Sequence, residues 1–234
     1  MAITFPRDMP SVAALSIYFE LERVDFLSPE AGGRLGAVSA GQPLWKMALS
    51  LQNMTSANAD VWRAWVAAQR GAQRQFYGRD LDRPYPKAHR NGFAGMVRAL
   101  DGLPFNGSAS SWTRFVDADG NERVTLTNLP AGLTLGTGDY IGFRWDQAGA
   151  GAGNMKRRAL VRVVEGGTTA ASGQQTFSVE PSVPLIVPPT AIAHIDNPVC
   201  LMRLVPEETQ LGEQGLGAIT NAGVRVVGLQ DLLP

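Results

Sequence analysis

Thr55-Ser56-Ala57-Asn58-Ala59-Asp60-Val61-Trp62-Arg63-Ala64-Trp65-Val66-Ala67-Ala68-Gln69-Arg70-Gly71 reads as an amphipathic helix, and no other stretch does so convincingly. Thr55, Ser56 and Asn58 offer N-cap oxygens, and Asp60 brings negative charge toward the positive end of the dipole. Val61, Trp62, Trp65, Val66 and Gln69 fall on one face at helical spacing. Gly71 predicts a left-handed C-cap. A helix with two tryptophans on one stripe has to cover something broad and flat. Nearly all the remaining sequence reads as strand and turn, so the expected partner is a β-sheet, with Trp62, Trp65 and Val66 as the core of the contact.

The strands around the helix follow from alternation. Ala14 to Val24 points Leu15, Ile17, Phe19 and Leu21 to one side. Leu44 to Leu51 alternates in the same way and leads into the helix, and Gln75-Phe76-Tyr77 follows it. Ser28 to Gly33 reads as a loop, as does Gly78 to Pro86, where the prolines exclude a helix or a central strand. Leu103 to Ser110 is the expected linker. Beyond it, Trp112–Val116, Arg123–Leu126, Asp139–Trp145, Arg158–Val164, Gln175–Val179 and Val199–Leu204 read as short strands at turn-bounded spacing, the pattern of a small barrel. Pro206 to Gly223 is polar and loop-like, and Val224–Leu229 closes the pattern as one more strand. This strand needs an edge to pair with, which predicts a discontinuous first domain. The expected organisation is residues 1–104 with 206–234 as one domain, and 105–205 as a β-barrel inserted into it.

The 234-residue chain is 44% hydrophobic, enough for a sizeable core, and carries 26 glycines and 15 prolines, as expected for many short strands joined by turns. Its 21 basic and 21 acidic residues balance. Specific nucleic-acid binding calls for a positive surplus and is not expected. The single cysteine, Cys200, excludes an internal disulfide and reads as a buried hydrophobe. Met1 to Arg7 lacks the apolar run of a secretion signal, and no segment has the length and apolarity of a membrane span, which predicts synthesis in a cytoplasm without membrane insertion.

No arrangement commits the chain to catalysis. Asp117-Ala118-Asp119-Gly120-Asn121 starts like a calcium loop but lacks the closing glutamate, and Asp-Gly is a common hairpin tip. Gly149 to Gly153 precedes a strand, so it has no helix N-terminus with which to hold a phosphate. His89 and His194 have no metal-ligand spacing and read as ordinary surface. Asp80 and Asp82, inside Arg79-Asp80-Leu81-Asp82-Arg83, read as alternating charge on a solvated loop. No Gly-x-Ser-x-Gly elbow is present. Neither metal nor cofactor is expected.

The order of these features resembles the distal tail proteins of siphophages. The resemblance rests on Ile3-Thr4-Phe5-Pro6, Phe19-Glu20-Leu21, Trp45, and the Trp62-Arg63-Ala64-Trp65 helix followed by Arg70-Gly71 and Phe76-Tyr77. It continues through Asp80, Arg83, Pro84 and Pro86, then Leu129-Pro130-Ala131-Gly132, Asp139-Tyr140-Ile141, Ala171 to Thr176, and Asn197-Pro198-Val199 to Met202-Arg203-Leu204. The resemblance implies a mainly β protein, with a tail-tube-like β-sandwich flanked by one helix and a small β-domain projecting outward. It also implies a non-enzymatic ring of six copies in the tail of a virion, assembled in the host cytoplasm. Such a ring joins the tail tube to the tip hub and lets DNA pass, and its partners are itself, the tube protein, the hub protein and the tape measure protein. The expected alternative is a carbohydrate-binding module using Trp112 and Trp145. A cell-wall hydrolase ranks below both for want of reactive groups.

Overall fold

A computed structural model describes residues 4–11, 16–29, 32–52, 54–212, 220–221 and 223–232. In chain order the elements are β1 (Arg7–Asp8), β2 (Ser16–Glu22), β3 (Asp25–Pro29), β4 (Leu35–Ser39), β5 (Leu44–Leu51), β6 (Met54–Thr55), α1 (Ser56–Gln69) and β7 (Gln75–Gly78). They continue with β8 (Ser111–Val116), β9 (Glu122–Thr127), β10 (Thr134–Leu135), β11 (Tyr140–Trp145), β12 (Arg157–Glu165), β13 (Gly167–Thr168), β14 (Gln175–Glu180) and β15 (Ile192–His194). The last are β16 (Cys200–Leu204), β17 (Thr220–Asn221) and β18 (Val224–Gln230). The protein is mainly β, with α1 the one α-helix among the described residues. Two compact units result, Met1–Phe76 with Met202–Asp231, and Tyr77–Leu201 with Leu232–Pro234.

The first unit is a six-stranded sheet in the order β1-β7-β16-β18-β5-β2. In the β2–β5–β18 part, the ladder puts Phe19, Trp45, Met47, Leu49, Leu51, Val224 and Val226 on the apolar side, all buried. The second layer is α1 rather than a further sheet. The helix starts at Thr55, whose side chain accepts a hydrogen bond from the Asn58 amide at 3.3 Å. It ends at Arg70, which takes the left-handed position itself at φ 52°, ahead of Gly71 at φ 66°. Trp62 and Trp65 are enclosed, 0% and 1% exposed, and Trp65 meets Phe76 edge-on at 5.0 Å while donating its indole N–H to the Asp8 carbonyl at 2.8 Å. Val66 is half-buried. Val61 is turned out, 47% exposed, and Ala59 takes its place in the buried stripe. One residue is about 100° of helix turn, so Val61 lies well round from Trp62.

The opposite side of the same strands carries Ser16, Tyr18, Glu20, Glu22, Lys46, Ala48, Ser50 and Arg225. Lys46 bridges Glu22 at 3.1 Å and Glu208 at 2.9 Å. The segment after β16 returns along β18, where Val205 donates its amide to the Val227 carbonyl and Gln210 pairs with Arg225. The expected loop of residues 206–223 is thus tied to the sheet as far as Gln210, while 213–219 and 222 lie outside the described residues.

The second unit is a sheet in the order β15-β11-β12-β14-β9-β8. Its edges approach, with the Ala109 amide donating to the Ala193 carbonyl at 2.9 Å. Even so, β8 and β15 share no ladder, so the expected barrel is an unclosed sheet. The core includes Val124, Leu126, Ile141, Phe143, Val161, Val163 and Phe177. The first border between units falls at Phe76/Tyr77, earlier than the expected 104/105, and the return falls at Leu201/Met202. The reason is packing: Phe93 and Phe105 belong to the second core, and Tyr85 and Met96 lie against it. The expected linker at 103–110 is therefore part of that unit.

Candidate assembly interface

Among the described residues of the first unit, the largest group of exposed apolar side chains lies on a hairpin that alternation misses. Strands β3 and β4 pair from Asp25↔Ser39 to Pro29↔Leu35, where a loop is expected from residue 28 onward. Register puts Phe26 and Val38 on one face and Leu27, Ala37 and Leu35 on the other. Phe26, Leu27, Leu35 and Val38 are each more than 60% exposed, and Val24 at the root is 63% exposed. A two-stranded hairpin is marginal in water by itself, and one with two apolar faces leaves both wet. Two-sided apolarity also explains why the element escapes a search for alternation, which detects strands with one dry and one wet face. The pairs Phe26-Leu27 and Gly32-Gly33, set between strand-like residues, are the signal that could have found it.

The hairpin extends β2 and β5 beyond the end of the sheet: the ladder closes at Glu22↔Leu44, and the Ala40 amide then donates to the Val24 carbonyl at 2.8 Å. A groove of about 300 Å³ lies at its root between Val24, Ala40, Gly41, Leu44 and Leu229. Strand β2 is the outer strand of the sheet. Its inward-pointing Ile17 and Leu21 are half-buried on either side of the buried Phe19, whereas Trp45, Met47 and Leu49 next door are 0% exposed. Apolar cover therefore thins at β2. The opposite edge is different: β1 has two residues and lies between Pro6 and Pro10, which offer no amide to a partner.

The expected glycan-facing aromatics do not form a platform. Trp112 is a core residue of the second unit, packed on Phe143 at 4.6 Å, with its indole N–H donated to the Ala191 carbonyl at 2.7 Å. Trp145 is half-buried against the same core.

Most of the polar residues singled out in the sequence hold structural contacts; Asp82 stays exposed. Asp117 accepts from the amides of Asp119 and Asn121, and from Arg123 Nε at 2.8 Å. The Arg123 ion pair, followed by the Asn121 amide, pulls its pKa down to about 2, and its oxygens are committed to the hairpin turn. The loop of residues 147–156 is held by Asp146, which accepts from the amides of Gly153 and Met155. Neither histidine is ordinary surface. His89 Nε2 accepts from the Thr134 amide at 3.0 Å. His194 is buried on β15 over Gly142, where a Cβ would meet its ring at 2.8 Å; burial pushes its pKa down to about 4. Asp80 is not solvated either: its side chain is 13% exposed and accepts from the Tyr140 hydroxyl at 3.1 Å. Burial in turn pushes the Tyr140 pKa up to about 12. Cys200 is buried, which raises its thiol pKa well above the ordinary value.

Among the described residues no group of His, Cys, Asp and Glu is arranged to hold a metal ion, and no helix is long and apolar enough to cross a membrane. No known protein family matches the chain, and comparison with curated proteins finds no match either.

Proposed function

We infer that the chain is a structural component of a bacteriophage tail tip, whose copies form a ring joining the tail tube to the tip hub. The observation that carries this reading is the hairpin of β3 and β4, apolar and exposed on both faces, which runs on from an edge strand whose Ile17 and Leu21 are only half-covered. Such a surface is suited to burial against copies of the same chain. Head-to-tail contacts that close on themselves give a ring with a fixed number of subunits, which the resemblance to distal tail proteins puts at six. The polar side of the sheet is the surface offered to the channel. Glu20, Glu22 and Glu208 there face Lys46 and Arg225, and Lys46 is held between two of the carboxylates. A wall without a positive surplus lets a polyanion pass without retaining it. The remaining partners on this reading are the tube, hub and tape measure proteins.

Imaging of assembled tails carrying a tag on this chain tests the reading. Tag density is expected at the junction of tube and tip, and its absence there overturns the assignment.

A further inference from the structure

We propose that the outer edge of β4 of one copy adds as a further strand to β2 of the next, so that subunits are joined by a continued sheet. This inference rests on the self-association in the reading above, but not on the location in a tail. Three features of the first unit carry it.

First, the core thins at β2, where Phe19 is buried against Trp45 but its neighbours on the same face are not. The residues facing α1 are fully enclosed on β5, but Ile17 and Leu21 on β2 are only half-buried, and no described strand flanks β2 on its outer side. One more strand with apolar side chains facing the same way completes the layer.

Second, the far edge of the same sheet cannot supply that strand. β1 has two residues against seven in β2, and the prolines at 6 and 10 restrict pairing around it.

Third, the hairpin can supply it. Each arm has five residues, about 17 Å of strand, a length that fits along β2. Within one copy β3 runs on from β2 and β4 runs into β5, so the free edges of β2 and β4 look to opposite sides. Opposite sides are what a head-to-tail contact requires. Addition through β4 sets Val38 on one face and Leu35 with Ala37 on the other, so either register brings apolar side chains beside Ile17 and Leu21.

The test uses two variants of the full chain with one added cysteine each, Tyr18→Cys at the middle of β2 and Ala37→Cys on β4, both at exposed positions. The native Cys200 is buried and keeps its proton, so it does not compete. The two proteins are mixed, allowed to associate and treated with a short bismaleimide. At least tenfold more cross-linked dimer is expected from the mixture than from either variant alone. In the Ala37→Cys partner, the added substitution Val38→Glu, on the face that meets Ile17 and Leu21 when Ala37 lies beside Tyr18, is expected to remove that product without changing the circular dichroism of the protein. Association without a mixed cross-link overturns the pairing and leaves self-assembly standing. Efficient cross-linking of Tyr18→Cys alone overturns it in favour of a two-fold β2–β2 contact. A chain that stays monomeric at every concentration and in the presence of tail tubes overturns both the pairing and the ring.

Discussion

At Gly228 a side chain would place its Cβ 2.6 Å from the Phe76 ring, which is fully enclosed beneath Trp65. Gly228→Ala is expected to cost about 1–3 kcal/mol through overpacking, read as a lower midpoint in urea with an unchanged slope. Trp62→Ala or Trp65→Ala is expected to cost about 3–5 kcal/mol, because each leaves a cavity under the helix. A loss of a few tenths would mean that the ring contributes little packing. In the second unit, His194 is neutral because burial, then Arg144 and Arg158, push its pKa from 6.5 to about 4. The unfolded chain binds the proton at the higher value. The stabilisation is therefore complete above pH 6.5 and is lost as pH falls toward 4, by an amount on the order of 3 kcal/mol. Asp196, raised by burial, works in the opposite direction, so the comparison needs a variant. His194→Gln should flatten the fall in melting temperature over that interval, and an equal fall in both proteins would exclude this role. The tryptophans of α1 were legible as core because a large apolar pair at helical spacing has few other places to go. His194 was not, because its burial depends on the bare backbone of Gly142 on a neighbouring strand.

Among elements, most strands with one dry face could be read from alternation, and α1 could be read from its caps and its stripe. The elements that escaped break the rule of one dry face or are very short. β15 has three residues, and the β3–β4 hairpin is apolar on both sides. The candidate interface was thus the least legible part of the first unit: strands with apolar residues on both faces show no alternation to read. The double substitution Phe26→Ser with Leu27→Ser separates these demands. Exposed positions outside a core change stability by about 0.5 kcal/mol or less, so the melting temperature should stay within a degree or two. Association measured by analytical ultracentrifugation should weaken at least tenfold. A variant that melts much earlier would place the hairpin in the monomer's own core.

Across the whole molecule, the border at Phe76/Tyr77 was hidden because residues 77–104 have few strand signals, although their aromatics fill the second core. The return of the chain to the first sheet was visible in the bare pattern of residues 224–229. Its position was not: β18 lies inside the sheet, between β16 and β5. A chain ending at Asn221 therefore loses an interior strand. Fluorescence from Trp45, Trp62 and Trp65 should shift to that of wet indole, while the unit holding Trp112 and Trp145 keeps its own unfolding transition. An unchanged melt in the truncated protein would show that β18 is dispensable. The same placement sets an order of events during synthesis. On the ribosome β5 and β16 emerge with the slot between them empty, and the strand that fills it is the last of that sheet to be made. The inserted unit can fold while translation continues, whereas the helix-covered sheet waits for residue 230. A nascent chain released early would thus display a gapped sheet to proteases and chaperones, and length itself becomes the credential for escaping them.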